Sequence, residues 1–156
     1  MRILFVCTGN ICRSPTAHGM LLHMLHESGI TDVVVESAGT ASAHIGHAPD
    51  PRTQAAAKAL GYDLSSQRAR NIVPEDFDRF DLILAMDESH MAVLERRKHN
   101  TSSAQLKLFL DYAPEYGREV PDPYYGEAQG FSDVAHMIEA ACKNLLEELR
   151  SARSGS

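Results

Sequence analysis

The chain has 156 residues, enough for one domain with a real hydrophobic core, and its composition is that of a globular protein without repeats or low-complexity tracts. A formal net charge of -6, with no basic run longer than Arg96-Arg97-Lys98, argues against binding nucleic acid or anionic membrane through a basic field. No apolar run approaches the ~18 residues of a membrane span, and the stretch from Met1 to Cys7 is too short and too quickly polar for a signal peptide, so a cytoplasmic location is expected.

Residues 2–7 are a continuous apolar run suited to a strand buried on both faces. Ser14-Pro15 reads as an N-cap followed by proline in the first helical turn, and the helix runs through Met20, Leu21, Met24 and Leu25 to a stop at Gly29. Residues 33–37 predict a second strand. Asp50-Pro51 repeats the cap-then-proline signal for a helix ending near Gly61, and Pro74-Glu75-Asp76 opens a short helical segment. Residues 81–86 predict a third buried strand, 88–99 a helix, and 105–110 a fourth strand. Residues 111–131 are turn-rich. The last helix is expected over 132–151, with Val134, Ile138, Ala141, Leu145 and Leu149 on one apolar stripe. Residues 1–152 are thus read as a single domain, and 153–156 as a disordered tail.

Strands alternating with helices imply right-handed crossovers and an α/β fold, a flavodoxin-like three-layer sandwich with a four-stranded parallel sheet. Sites in such sheets form outside the carboxyl ends of the strands. Cys7 sits at the carboxyl end of the first strand.

Three cysteines, Cys7, Cys12 and Cys142, do not make an even disulfide framework and are read as thiols. Cys7-Thr8-Gly9-Asn10-Ile11-Cys12-Arg13 links a strand end to a helix start. Gly9 and Asn10 tolerate the backbone angles needed to wrap a loop with its amides inward. A concave set of N–H groups at a helix N-terminus is an anion site of phosphate size, and Arg13 adds a planar fork for two oxygens. The same field favours a thiolate at the base of the loop. Ser14 either caps the helix or gives its hydroxyl to that sulfur. A C-x5-R-S sequence between a strand and a proline-started helix is far rarer than C-x5-R alone, which turns the reading of Cys7 from buried hydrophobe to nucleophile.

Other phosphate-loop signatures are missing: there is no G-x4-G-K-[ST] and no strand-turn G-x-G-x-x-G. No metal site is expected, since neither Cys7 nor Cys12 has a His partner at ligand spacing, and His23 and His26, one helical turn apart, lack a third ligand. A thiolate that displaces an alcohol needs a proton donor for the leaving oxygen. Asp122, held between Pro121 and Pro123, is the best candidate, and Tyr124 and Tyr125 beside it suit packing against a substrate ring.

Together these residues closely resemble the low-molecular-weight protein tyrosine phosphatases. The resemblance runs from Val6–Pro15 through Ser37-Ala38-Gly39-Thr40, Asp50-Pro51-Arg52, Phe80-Asp81 and Met86-Asp87-Glu88 to Asp122-Pro123-Tyr124-Tyr125-Gly126, nearly the whole chain. It implies that Cys7 forms a phosphocysteine, that Arg13 and the amides of residues 8–13 bind the phosphoryl oxygens, and that Asp122 protonates the phenolate and then activates water. It implies no cofactor, a bracing role for Asn10, and a redox role for Cys12, which in family members traps an oxidised nucleophile as a disulfide. Cys142, on the apolar stripe, is expected in the core.

Three departures stand out. Ala43, beside His44, replaces the bulky wall residue of many relatives, leaving Ile11, Ala43, His44, Tyr124 and Tyr125 as the expected pocket wall. Gln67 stands where many members have a loop-bracing His, and His90 replaces a common Asn; neither is expected to touch the chemistry. The scaffold also hosts arsenate reductases, which need a further cysteine pair that residues 70–110 lack, and protein-arginine phosphatases, which favour a small polar residue where this chain has Ile11. A phosphotyrosine reader would have no use for Asp122, and a redox sensor would need only Cys7 and Cys12. The expected partner is a phosphotyrosine-containing protein, in bacterial relatives a tyrosine kinase of polysaccharide export; some relatives are secreted into hosts, which here would require a leaderless route. The expected state is a monomer or a weak dimer through Tyr124 and Tyr125.

Overall fold

A computed structural model of the protein describes residues 1–154. Four parallel strands, β1 (Arg2–Cys7), β2 (Val34–Gly39), β3 (Leu82–Ala85) and β4 (Gln105–Leu108), form one sheet in the order β2-β1-β3-β4. The helices are α1 (Arg13–Glu27), α2 (Pro51–Ala59), α3 (Asp76–Arg79), α4 (Glu88–Arg97) and α5 (Ala128–Ser154), with short 3-10 turns at Phe109–Tyr112 and Pro114–Tyr116. This is the expected four-stranded α/β sandwich.

Alternation along β1 builds two cores. Ile3, Phe5 and Cys7 face α1, α2 and α5, where Met20, Leu21, Ile138 and Leu145 are fully buried. Leu4 and Val6 face α3 and α4, against Phe77 and Leu94. Each large apolar side chain so buried contributes roughly 1.5–3 kcal/mol, which holds β1 rigidly at the centre of the sheet. Cys142 lies within the first core, its thiol pushed above the ordinary range by burial.

Several boundaries differ from expectation for identifiable reasons. The first helix begins at Arg13, because the loop after β1 feeds straight into it, so Ser14 lies inside the helix and not at its cap. Asp50 does cap α2, accepting from the Arg52 N–H at 2.8 Å with Pro51 at the first helical position. β4 stops at Leu108, where the chain tightens into a 3-10 turn that seats Phe109 edge-on against Phe5, 5.2 Å between ring centres. α5 is longer at both ends than expected. It starts at Ala128, taking Gly130 into its first turn, and reaches Ser154; the rest of the expected tail, 155–156, lies outside the described residues. Among the described residues no helix is long and apolar enough to cross a membrane.

Candidate active site

The loop after β1 is shaped from outside. Its carbonyls are drawn outward: Thr40 N–H donates to Cys7 O at 2.9 Å, Ala41 N–H to Thr8 O at 3.0 Å, and Asp50 N–H to Ile11 O at 2.9 Å. Thr16 Oγ1 donates to Cys12 O at 2.7 Å. With the carbonyls so committed, the peptide planes turn their N–H groups inward, and the amides of residues 9–13 make no backbone hydrogen bond among the described residues. Inward amides at a helix start form an anion-binding concavity. Asn10 takes the left-handed conformation that the turn requires, at φ +57°. Gly39 lets the end of β2 press on the loop, since a Cβ there would lie 2.6 Å from the Thr8 carbonyl oxygen.

Cys7, 3% exposed, sits at the base of this loop. Its sulfur lies 2.9 Å from Ser14 Oγ. Asn10 Nδ2 donates to Ser14 Oγ at 2.8 Å and to Ser37 Oγ at 3.0 Å, while its Oδ1 accepts from the Arg70 N–H. Because Ser14 accepts from Asn10, its own proton is free to point at the sulfur, which suits a thiolate acceptor. Ser14 therefore contacts the sulfur and takes no part in capping. His18 extends the network, its Nδ1 3.1 Å from Ser37 Oγ, and burial pulls its imidazole below the ordinary value.

Arg13 is 3% exposed, and one of its guanidinium nitrogens donates to Asp87 Oδ2 at 2.8 Å and to Val120 O at 2.9 Å. The other nitrogen is 3.7 Å from Asp122 Oδ2. Two anchors on one side of a planar fork fix its plane and leave the other side to face the loop. Burial pushes the Asp87 carboxyl up, but hydrogen bonds from Ser89 and Arg13 outweigh it and hold the group below the usual carboxylate range. Asp122 stands at the mouth, 43% exposed, its Oδ1 accepting from the Tyr124 N–H at 3.1 Å, so the proline-bracketed turn fixes the carboxylate's direction.

Cys7, Arg13, Asp122 and the expected wall residues Ile11, Ala43, His44, Tyr124 and Tyr125 all line one cavity of about 210 Å³. His44, not Ala43, supplies the ring on that side: its imidazole lies 6.1 Å from the Tyr124 ring, and a Cβ on Gly9 would meet it at 2.9 Å. Arg52 stacks over Tyr124 at 5.4 Å and Phe131 at 4.5 Å, stiffening the Tyr124 side. Tyr125 is 91% exposed at the rim. The Cys12 thiol is pushed up to about 12, chiefly by burial, and the Thr53 hydroxyl faces it. Among the described residues no group of three His, Cys, Asp or Glu is placed to hold a metal ion.

Sequence reading missed several residues of this site. Asp87 belongs to a segment read only as a resemblance; its position just past the carboxyl end of β3 was the available signal. Ser37 opens the Ser37-Ala38-Gly39-Thr40 segment, read likewise only as a resemblance, and Arg70 carries no motif. His90, not expected to touch the chemistry, is buried against the loop all the same: its Nε2 lies 2.8 Å from Thr8 Oγ1. Gln67 does stay outside, donating to the Pro15 carbonyl at 2.9 Å.

A parallel α/β sheet that ends its central strand in a wrapped Cys-x5-Arg loop, with a carboxylate over the mouth, defines a thiol-based phosphate-handling class. The family model for low molecular weight phosphotyrosine protein phosphatase matches residues 2–154, and the chain belongs to that family. A Synechocystis relative carrying the low molecular weight protein-tyrosine-phosphatase name is 44% identical over 152 residues, 96% of each chain. A protein tyrosine phosphatase structure from Entamoeba histolytica superposes with a TM-score of 0.91 at 36% identity, covering 98% of this chain and 99% of that one. The structure of a Drosophila arginine phosphatase also superposes, with a TM-score of 0.89 at 31% identity, covering 96% of this chain and 98% of that one.

Proposed function

We propose that this chain hydrolyses phosphotyrosine in proteins, and small aryl phosphates, through a phosphocysteine. The observation that carries the reading is the Cys7 sulfur, 2.9 Å from the Ser14 hydroxyl beneath inward amides and an anchored Arg13, with Asp122 at the mouth. The Cys7 thiolate attacks phosphorus, forming an S–P bond as the bond to the phenolic oxygen breaks. Asp122 gives its proton to that oxygen. Arg13 and the amides of residues 8–13 hold the three equatorial oxygens, whose charge is greatest in the transition state. Asp122 then takes a proton from water as it attacks phosphorus, and Ser14 steadies the departing sulfur. The scheme uses no cofactor.

The cavity supports an aryl substrate. Ile11 is a branched, buried wall residue, and His44 and Tyr124 present rings at the entrance, a slot suited to a flat phenyl group. A phosphotyrosine protein is the substrate class, and a bacterial tyrosine kinase is one candidate partner. Phosphoarginine is the second reading, favoured by the superposition on the Drosophila arginine phosphatase. Against it stands Ile11, which offers a guanidinium no hydrogen-bond acceptor. In the same reading Cys12 guards the nucleophile: a Cys7 sulfenic acid condenses with the Cys12 thiol to a disulfide, releasing water.

Hydrolysis of an aryl phosphate with chelator present tests the chemistry. Turnover is abolished by Cys7→Ser and slowed by roughly 10²–10⁴ in Asp122→Ala. Full activity in Cys7→Ser would sink the mechanism. Faster turnover of phosphoarginine than phosphotyrosine peptides would overturn the substrate assignment.

A further inference from the structure

We infer that His90 is a positioning residue of the phosphate loop, tying Thr8 at the loop's start to the Asp87–Arg13 clamp at its end. The inference rests on the phosphatase reading above. His90 lies in the first turn of α4 and is 1% exposed. The Asp87 N–H donates to its Nδ1 at 3.2 Å. That nitrogen is therefore the acceptor, the ring proton sits on Nε2, and Nε2 donates to Thr8 Oγ1 at 2.8 Å. Asp87 in turn holds Arg13 at 2.8 Å. Thr8–His90–Asp87–Arg13 is a closed brace outside the loop, and both ends of the anion cradle hang from the N-terminus of one helix.

A simpler role for His90 is to complete the cap of α4, with Asp87 Oδ1 accepting from the His90 N–H and His90 answering to the Asp87 N–H. That role needs only one acceptor atom, which Glu or Gln ordinarily supplies at this position. It leaves the second ring nitrogen, its shorter hydrogen bond and its reach across 82 residues of sequence unexplained. The brace explains them. Thr8 directly follows Cys7, and its carbonyl is already fixed by the Ala41 N–H. The bond from His90 fixes its side chain as well, so the first peptide plane of the cradle cannot swing. His90 touches neither sulfur nor any candidate donor directly; it acts through Thr8 and Asp87.

Thr8→Val and His90→Asn cut the brace from opposite ends. The Asn amide oxygen still accepts from the Asp87 N–H but is too short to reach Thr8, so His90→Asn keeps the α4 cap while trimming a buried side chain, and Thr8→Val acts at an exposed position and leaves the core intact. Each is expected to lower kcat/KM for an aryl phosphate about tenfold and to weaken inorganic phosphate binding by a similar factor, the worth of one anchoring hydrogen bond. The double variant falls no further than the worse single one, Thr8→Ser recovers most of the loss, and the thermal midpoint of Thr8→Val is unmoved. Multiplying effects in the double variant, a Thr8→Ser as weak as Thr8→Val, or losses that follow the thermal midpoint alone would each overturn the brace. The phosphate-binding arm keeps the test apart from the phosphatase reading, because binding responds to the cradle even if the wild-type chain turns over no aryl phosphate.

Discussion

Acid weakens this fold through His90 before it reaches most carboxylates. Burial, then the neighbouring Arg13 charge, pulls the His90 imidazole from 6.5 down to about 4. Asp87, Asp122 and Glu119 pull the other way, and Asp87 Oδ1 is only 3.1 Å from Nδ1, yet burial and Arg13 win. The unfolded chain, with an ordinary imidazole, binds a proton as pH falls through 6.5, whereas the folded chain does not until about 4. Stability is therefore full above about pH 6.5, declines as pH falls towards 4, and levels off for this group below that. At about 1.4 kcal/mol per pH unit, the gap corresponds to about 3 kcal/mol at pH 4. Urea unfolding of the wild type and His90→Asn at pH 7.5, 6, 5 and 4 measures it. The stability advantage of the wild type should shrink by about that amount across the series, because Asn has no proton to take up. Burial lowers His18 too, with the same sign, but it is common to both proteins and cancels in the comparison. An imidazole resonance of His90 titrating near 6.5, or a difference between the two proteins that does not change with pH, would refute the reasoning.

Three further outcomes follow from the geometry. Gly39→Ala puts a methyl group 2.6 Å from the Thr8 carbonyl oxygen and 3.2 Å from the Asn10 nitrogen, both backbone atoms. The loop must shift, and kcat should fall about 100-fold in a protein that still unfolds cooperatively; wild-type turnover would contradict the close approach. Arg13→Lys keeps a charge but loses the fork that Asp87 Oδ2 and Val120 O orient, so kcat should fall by roughly 10²–10³, with phosphate affinity weakened in parallel. Iodoacetamide at pH 7 followed by peptide mass mapping should modify Cys7 and spare Cys12, whose thiol burial pushes up to about 12 and so leaves protonated. Preferential labelling of Cys12 would reverse that assignment and remove it as a resting guard.

Much of the site is legible in the sequence because its central part is local. A buried strand, a seven-residue loop and the helix that follows fall within residues 2–27, and the loop's amides, Arg13 and Cys7 need no distant partner to be recognised. The Asp50-Pro51 cap is readable for the same reason, since donor and acceptor lie two residues apart. Ser14 marks the limit of such reading. A serine before a proline suits a cap or a hydroxyl aimed at sulfur, and only the tight entry from the loop into α1, which moves the helix start to Arg13, decides between them.

What the sequence hides is long-range. Asp87 and His90 arrive beside the loop because β3 pairs directly with β1, placing the carboxyl end of β3 next to Cys7; no local periodicity encodes that pairing. Ser37 and Thr40 arrive because β2 flanks β1 on the other side. The nucleophile loop is thus squeezed between the ends of two strands that are its neighbours only in the folded sheet. Position 43 shows the same dependence. Counting residues from the Ser37-Ala38-Gly39-Thr40 segment puts Ala43 where a bulky wall belongs, but the ring that faces Tyr124 belongs to His44. A wall is defined by what it faces, and His44 faces both Gly9 and Tyr124, so the narrowness of the entrance comes from one histidine packed so close on a glycine that a Cβ there would lie 2.9 Å from its ring.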